Sequence, residues 1–283
     1  MVITPNILLT GANGQLGKAI AAELLAANMA FVATNRDELD ITNQAALSAF
    51  LHQLNPTIII NCAAYTAVDQ AETDSASCFA VNELAVKALA EYCYKTECVL
   101  IHFSTDYVFD GTSSKPYEEQ DKPKPLNQYG KSKLAGELAI QQIACRHYII
   151  RTSWLYSYSG KNFYTTMQKL AQGSKPVKVV NDQLGAPTHA AHLAAEVVTI
   201  IQQHQSEQAL PFGLYHYCDE QYQSWFEFAQ QIFKAQQSTT ELQPISSQEY
   251  AAAAARPANS CLNSQRLKQW LNTQTGQTAL RYR

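Results

Sequence analysis

The chain has 283 residues, of which 46% are hydrophobic and 16% are charged, and its formal net charge is −3. This length fits one large αβ unit with a smaller satellite lobe, and the slightly acidic balance argues against a nucleic-acid partner, which requires a basic surface. No apolar run approaches the roughly 18 residues of a membrane span, no signal peptide is visible, and the seven cysteines form no C-x-x-C pair. We therefore expect a cytoplasmic protein with reduced thiols, no membrane partner and no metal.

Short apolar runs alternate with amphipathic segments through the first half of the chain. Because the runs are apolar throughout, the alternation predicts an α/β fold built on a Rossmann-type, doubly wound parallel sheet with helices on both faces. In chain order, apolar spacing predicts strands at 7–9, 31–34, 58–60, 99–103 and 147–150, and helices over 15–28, 42–54 (with Thr42 as N-cap), about 75–95 and 128–143.

Beyond residue 152 the pattern loosens into aromatic, serine and glycine residues. Trp225 and Trp270 lie in helical patterns and are expected in the core. His189 and His192 are three residues apart without an apparent third ligand, so the pair is not expected to bind a metal. The elements predicted in this part are strands at 177–180 and 213–217 and a helix over 225–235.

A glycine-rich segment with the spacing G-x-x-G-x-x-G, residues 11–17, lies between the first predicted strand and the first predicted helix. Glycines let the backbone turn sharply and approach a pyrophosphate, which the helix N-terminus also attracts. This context predicts dinucleotide binding. The second strand ends at Asn35 and Arg36 instead of a carboxylate. The absence of that negative charge favours NADPH, which carries a 2′-phosphate, and leaves NADH open as an alternative cofactor.

A tyrosine and a lysine, Tyr129 and Lys133, are four residues apart in the predicted helix over 128–143 and therefore share a face. A nearby ammonium, helped by the ribose of a bound nicotinamide, favours the phenolate, so the pKa of Tyr129 is expected to fall below its usual value of about 10. Ser104 and Thr105 end the fourth predicted strand, where a hydroxyl can reach the same place. The combination predicts a proton-transfer site.

Several further motifs occur in a fixed order along nearly the whole chain, and together with the glycine loop they resemble the extended short-chain dehydrogenase/reductase family. In that family they most resemble the reductases of nucleotide 4-keto-6-deoxysugars. The segments that carry the resemblance are Leu9–Gly17, Asn61–Asp69, Ser104–Gly111, Pro125–Glu137, Arg151–Trp154, Asn181–Thr188 and Arg256–Ser260.

The resemblance implies an NADPH-dependent oxidoreductase that reduces the C4 ketone of dTDP-4-dehydro-L-rhamnose. Tyr129 would donate the proton, Lys133 would contact the nicotinamide ribose, and Thr105 would hydrogen-bond the carbonyl oxygen as it becomes an alkoxide. The implied substrate-binding residues are Thr105, Asp106, Trp154, Arg256 and Asn259. The cofactor-binding residues, from the motif and the resemblance together, are Gly11, Asn13, Gly14, Gln15, Leu16, Gly17, Asn35, Arg36, Asp40, Ile41, Ala63, Ala64, Tyr65, Thr66, Tyr129 and Lys133.

The domain division expected from these motifs places an NAD(P)-binding Rossmann domain at 1–152. A smaller C-terminal α/β substrate-binding lobe comprises 153–177 and 213–283, and the segment at about 178–212 returns to the Rossmann domain. We expect a monomer or a homodimer. Two alternatives remain open: a reductase of another nucleotide 4-keto-6-deoxysugar, and a non-catalytic NADP-binding regulatory subunit.

Two residues distinguish this chain from related proteins of the family, one in its chemistry and one in its assembly. Dehydratases of similar fold have Thr-Asp-Glu where this chain has Thr105-Asp106-Tyr107. The lost carboxylate is the group suited to C5 proton abstraction, so reduction is favoured over dehydration. Some relatives form magnesium-bridged dimers through an acidic residue after the third glycine, and Lys18 stands there instead. An ammonium cannot ligate Mg²⁺, so no structural metal is expected.

Overall fold

The computed structural model describes residues 6–204 and 206–275. Its strands are β1 (Ile7–Thr10), β2 (Phe31–Thr34), β3 (Ile58–Asn61), β4 (Val99–Thr105), β5 (His147–Thr152), β6 (Leu155–Tyr156), β7 (Val177–Val180), β8 (Leu184–Gly185), β9 (Thr188–His189), β10 (Gly213–His216), β11 (Gln223–Ser224) and β12 (Leu242–Ile245). Its α-helices are α1 (Gln15–Ala26), α2 (Gln44–Leu54), α3 (Ser75–Phe79), α4 (Ala85–Thr96), α5 (Gln128–Ile143), α6 (Phe163–Ala171), α7 (Ala190–Gln203), α8 (Trp225–Ala235), α9 (Ser247–Tyr250) and α10 (Gln265–Thr275). Short 3₁₀ turns cover Gln70–Glu72 and Asp106–Val108, and a π-helical turn covers Ala80–Leu84.

The central sheet of the described residues has six parallel strands in the order β10-β5-β4-β3-β1-β2. Strands β1, β3 and β4 are buried along their whole length. Side chains alternate between the two faces: Ile7 and Leu9 pack with α1 and α7, whereas Leu8 packs with α2 and α4. The doubly wound α/β fold is therefore confirmed, because both faces of a parallel sheet are covered by helices.

Helix starts follow from side-chain caps. Helix α5 begins after Asn127, whose side chain accepts a hydrogen bond from the Gly130 N–H, and it ends where predicted. The prediction that Thr42 caps α2 is wrong. The Thr42 hydroxyl donates to Asp40 Oδ1 at 2.7 Å, and Asn43 accepts from the Ala46 N–H instead. Asn is a stronger N-cap than Thr, which explains the one-residue difference.

The smaller lobe is built from β7 and β12, which pair in parallel, and from α6 and α8. Its apolar core includes Met167, Val179, Phe228 and Phe233. Within the segment 178–212, which is expected to return to the main domain, α7 packs in the core formed with α1, whereas β7 pairs with β12 of the smaller lobe.

The C-terminal part of the chain departs from the expected division. Strand β10 pairs with β5, with Gly213 opposite Tyr148, so it extends the main sheet although 213–283 was expected in the lobe. Helix α10 also buries Leu267 and Leu271 in the main core. The placement of β10 in the lobe is wrong because a strand of only four residues does not encode which sheet it joins.

The structure also shows the surroundings of Trp270, of the cysteines and of His192. Trp270 is partly buried against the main core, and its Nε1 donates to the Gln208 carbonyl. All seven cysteines lie in the described part of the chain and are free. His192 Nδ1 lies 2.9 Å from Asp219 Oδ2, and the described residues contain no cluster of three or more metal-ligating side chains. Within the same residues, no helix has the length and apolar character needed to cross a membrane.

Candidate active site

A cavity of about 350 Å³ opens at the carboxyl ends of the central strands. This edge of an open parallel sheet is where ligands of such folds bind. The cavity brings together residues that are distant in sequence: the glycine loop, the end of β4, one face of α5 and the turn after β5. Its lining is Gly14, Gln15, Leu16, Gly17, Asn61, Cys62, Ala64, Thr66, Phe103, Ser104, Thr105, Asp106, Tyr129, Lys133, Thr152, Ser153, Trp154 and Leu155.

The glycine loop is shaped by two close approaches of backbone to backbone. Gly11 has φ +66°, and a Cβ at that position would lie 2.5 Å from the Ala63 nitrogen. A Cβ at Gly17 would lie 2.4 Å from the Gly11 oxygen. Helix α1 begins at Gly14 without a side-chain cap, so the amides of its first turn remain as donors at the cavity. A narrow loop with uncapped amides fits the diphosphate of a dinucleotide.

Gln15 is held in place by the smaller lobe. Its Oε1 accepts hydrogen bonds from Ser157 Oγ at 3.0 Å and Asn162 Nδ2 at 2.8 Å. Asn162 is also the N-cap of α6, in a capping box with Thr165. Both donors bond to the carbonyl oxygen of the Gln15 side chain, so its amino group is left to donate a hydrogen bond. A bound anion requires such a donor.

Lys133 lies on α5 and is only 2% exposed. Its Nζ donates to the Phe103 carbonyl at 2.6 Å and lies 3.4 Å from His102 Nε2. Burial lowers the pKa of Lys133 to about 8. Burial, and then the Lys133 charge, also lower the pKa of His102 well below its usual value, which keeps this imidazole neutral. The site thus holds one ammonium in a low-dielectric position, where its field is strong.

Tyr129 lies one helical turn before Lys133 on the same helix. The pKa that is expected to fall beside the ammonium and the nicotinamide ribose is raised by burial in the protein without cofactor, and the Thr105 hydroxyl offsets only part of that effect. Burial disfavours the phenolate because the charged form would lose its hydration. Tyr129 is consequently a phenol at neutral pH, which is the protonation state of a proton donor.

Three polar atoms in the cavity wall are buried and have no partner among the described residues: Ser104 Oγ, Asp106 Oδ2 and Thr152 Oγ1. The other oxygen of Asp106, Oδ1, accepts from Thr105 Oγ1 at 2.9 Å, and Thr105 accepts from the Tyr107 N–H. Burial raises the pKa of Asp106 to about 6. Buried groups without partners are costly, so this set fits a ligand that carries hydroxyl groups.

Two of the predicted substrate-binding residues lie outside the cavity lining. Arg256 donates to both oxygens of Asp69, at 3.0 and 2.7 Å. Asn259 donates to the Ser113 carbonyl and accepts from the Cys261 N–H. Both side chains therefore anchor their own loop in this structure, and an engagement of the nucleotide by either one remains a prediction.

The predicted adenosine-end residues lie together at the end of β2. Asn35 accepts from the Asp37 N–H, Asp40 accepts from Thr42, Arg36 is exposed and Ile41 is buried. The remaining predicted cofactor residues flank the cavity: Ala64 and Thr66 line it, Ala63 and Tyr65 are their chain neighbours, and Asn13 precedes Gly14 of the lining.

Part of the cavity lining was not predicted from the sequence. Asn61, Thr152 and Ser153 line the cavity but were not predicted as site residues. They lie at the ends of β3 and β5. The signal that points to them is their position, because polar residues at the carboxyl ends of parallel strands converge on one edge.

The fold and the cavity define a class of protein. An uncapped glycine loop, a tyrosine and a buried lysine on one helix, and a hydroxyl at the end of β4 form the site of a short-chain dehydrogenase/reductase, a dinucleotide-dependent oxidoreductase.

Comparison with known proteins identifies the family within this class. Residues 5–281 match the family described as the RmlD substrate binding domain. The dTDP-4-dehydrorhamnose reductase of Aggregatibacter actinomycetemcomitans is 38% identical over 93% of this chain and 92% of that protein. The chain therefore belongs to the RmlD family of dTDP-4-dehydrorhamnose reductases.

Two other relatives bear on cofactor and substrate. The crystal structure of the Bacillus anthracis dTDP-4-dehydrorhamnose reductase in complex with NADP has a TM-score of 0.88 and 36% identity, and the match covers 94% of this chain and 93% of that one. The dTDP-4-keto-6-deoxy-D-glucose reductase of Streptomyces niveus is 36% identical over 90% of this chain and 87% of that protein.

Proposed function

We propose that this protein reduces the C4 ketone of dTDP-4-dehydro-L-rhamnose to give dTDP-L-rhamnose, with NADPH as reductant. The observation that carries the proposal is the cavity, which holds the glycine loop, the buried Lys133, the phenol of Tyr129 and the hydroxyl of Thr105 together. The names of the relatives support the substrate, and the NADP bound to the Bacillus anthracis protein supports the cofactor.

The residues present fit the dinucleotide. The amides at the start of α1 and the amino group of Gln15 would hold the diphosphate, and Lys133 would contact the nicotinamide ribose. Asn35 and Arg36 would meet the adenosine end, and at the strand-end position where a carboxylate often binds the ribose this chain has Asn35. When bound, the reduced nicotinamide supplies the hydride that the ketone accepts.

Tyr129 provides the proton for the oxygen that becomes negative. Its raised pKa means that the phenol is fully protonated at neutral pH. The Lys133 ammonium, fixed by the Phe103 carbonyl, then stabilises the phenolate that remains after donation. Thr105 has a single hydroxyl proton, which points to Asp106 Oδ1 in this structure. Turning that proton to the substrate oxygen would supply a second donor where charge develops.

The assay that tests this proposal follows NADPH oxidation with the ketosugar generated enzymatically, and identifies the product by NMR. We expect NADPH consumption and the appearance of dTDP-L-rhamnose. Tyr129→Phe should lower kcat by roughly 10²–10⁴-fold, the contribution of general acid catalysis. NADPH affinity should stay near the wild-type value in this variant, and near-normal turnover would overturn the role of Tyr129.

The Streptomyces niveus relative favours a second candidate substrate, another dTDP-linked 4-keto-6-deoxysugar. The fold and the catalytic residues would be the same, and only the contacts to the sugar would differ. Comparison of kcat/KM for the two ketosugars separates the candidates. A non-catalytic NADP-binding subunit is disfavoured because Thr105, Tyr129 and Lys133 are all retained.

We further propose a cytoplasmic monomer or homodimer that does not need a divalent metal. Lys18 is exposed directly after Gly17, and its ammonium is unsuited to Mg²⁺, which takes oxygen ligands. The mass measured by light scattering should therefore be the same with Mg²⁺ and with EDTA. A dimer that dissociates in EDTA would contradict this prediction. The seven free cysteines agree with a reducing compartment.

A further inference from the structure

Trp154, in the cavity wall, has an unusual backbone. Its φ is +46°, in the left-handed region that bulky side chains rarely adopt. The flanking hydrogen bonds hold this conformation: Ser153 Oγ donates to the Ala186 carbonyl at 2.7 Å, and the Thr188 N–H donates to the Trp154 carbonyl at 3.3 Å. A strained residue that its surroundings fix in this way is typical of a functional position.

The indole of Trp154 is confined by two residues from elsewhere in the chain. It stacks face to face on Trp225, with ring centroids 3.5 Å apart and an interplanar angle of 6°. It also lies against Gly185, where a Cβ would come within 2.3 Å of the indole Cε2. Any residue larger than glycine would therefore displace the indole.

The pairing of two short strands fixes the contacts of Trp154 with Trp225 and with Gly185. Strands β8 and β11 pair so that Gly185 lies opposite Gln223, two residues before Trp225. Trp225 is also the first residue of α8, which Ser224 and Glu227 cap reciprocally in a capping box. Trp225 packs against the lobe core, so its ring cannot move without the lobe. The position of the Trp154 indole is thus determined by the smaller lobe.

We propose that Trp225 is a positioning residue for the sugar nucleotide, acting through Trp154, and that Gly185 is the residue whose small size permits this arrangement. The proposal rests on the proposed function and on the substrate-binding role expected for Trp154, which lines the cavity. Trp225 itself is absent from the cavity lining, so its effect on the substrate is exerted through the stacked indole.

The stack has a spectroscopic signature that does not depend on catalysis. The chain has three tryptophans, and only Trp154 and Trp225 are stacked on each other in the described residues. Two indoles fixed against each other contribute a near-ultraviolet circular dichroism signal that depends on both rings. Trp154→Phe and Trp225→Phe should each remove the same part of that signal, and the double variant should lose little more, whereas Trp270→Phe should retain it. Independent, additive losses in Trp154→Phe and Trp225→Phe would overturn the proposal.

The functional test measures the Kd of dTDP-L-rhamnose and the kinetics of the ketosugar in Trp225→Leu and Gly185→Ala. We expect Kd and the KM of the ketosugar to rise about tenfold, the value of one well-placed aromatic contact. The KM of NADPH should change less than about twofold. Trp225→Phe should restore most of the affinity, and Trp270→Phe should match the wild type.

The outcomes separate this proposal from the proposed function. A purely structural Trp225 would lower the melting temperature of Trp225→Leu and leave Kd and KM unchanged, which contradicts the proposal. A lobe that unfolds in that variant is recognised by its melting curve, and Gly185→Ala then decides because it moves the indole without removing an aromatic ring. A wild type that binds dTDP-L-rhamnose in a Trp225-dependent manner but reduces no ketosugar would refute only the proposed activity.

Discussion

The buried carboxyl of Asp106 lowers the stability of the folded protein at neutral pH and can accept a hydrogen bond from the substrate. Its side chain is 3% exposed, and one carboxyl oxygen has no partner among the described residues. Burial raises the pKa of this carboxyl from 3.8 to about 6, so at neutral pH the folded protein buries a negative charge at a cost. A substrate hydroxyl that donates to Oδ2 would recover part of that cost.

The pH dependence of stability follows from this shift. As the pH falls from above 6 towards 4, the folded protein takes up the Asp106 proton before the unfolded chain does, so the cost of the buried charge disappears. Asp106→Asn should therefore have a higher melting temperature than wild type at pH 7.5, with the difference shrinking towards pH 4. Its KM for the ketosugar should rise about tenfold, because an amide replaces the acceptor. A melting-temperature difference independent of pH would contradict this explanation.

Residue spacing alone predicts which side chains meet at the cavity when those residues share one element or one strand end. Tyr129 and Lys133 are linked by the helical period, and Thr105 by its place at the end of β4. The burial that raises the pKa of Tyr129 in the protein without cofactor cannot be read from spacing, because burial is a tertiary property. The contact between Trp154 and Trp225 was also invisible, since pairing of β8 with β11 creates it.

At the scale of elements, the β1–α1 loop depends on glycine at some positions more than at others. A Cβ at Gly17 would lie 2.4 Å from the Gly11 oxygen, whereas a Cβ at Gly14 would have its nearest protein neighbour at 3.2 Å. Gly17→Ala should therefore lower the melting temperature of the cofactor-free protein by several degrees, roughly 1–3 kcal/mol for overpacking.

Gly14→Ala is the matched control for this prediction, because it lies in the same loop with φ −70°. Its melting temperature in the absence of cofactor should stay close to that of the wild type. If the two substitutions lowered the melting temperature equally, the close approach of a Cβ at Gly17 to the Gly11 oxygen would not be the cause.

The main sheet shows where element prediction from sequence works and where it stops. Strands β1 to β5 were recognised because long apolar runs alternate with amphipathic helices. Strand β10 was recognised as a strand but placed in the wrong lobe, because its pairing with β5 is a long-range choice. Two-residue strands such as β8 and β11 carry no periodic signal at all.

At the scale of the whole molecule, the cavity lies where the lobe and the sheet meet, and side chains bridge the two parts. Gln15 accepts from Asn162, and the loop that carries Arg256 is tied to Asp69. The Arg256–Asp69 pair is bidentate, but the Asp69 side chain is 48% exposed. Water screens such a pair, so its direct contribution to stability is modest.

Because the pair is partly exposed, the Arg256 guanidinium is free to leave Asp69 and bind the substrate, and this exchange can be tested. If the guanidinium turns to the diphosphate of the substrate, Arg256→Ala should raise the KM of the ketosugar about tenfold, because a charge-assisted hydrogen bond is lost. Asp69→Asn should leave that KM unchanged or lower it, since it releases the guanidinium. Equal increases of KM in both variants would indicate that the pair only anchors its loop.

Isotope transfer shows whether this cavity delivers a hydride and a proton to the C4 ketone of the sugar. NADPH deuterated at the transferable position of C4 is incubated with dTDP-4-dehydro-L-rhamnose and the wild-type protein, and the product is examined by NMR. We expect dTDP-L-rhamnose with deuterium at C4 of the sugar, formed at least about 100-fold more slowly by Tyr129→Phe. No deuterium transfer to this or any related nucleotide ketosugar, from a protein that binds NADPH, would contradict it.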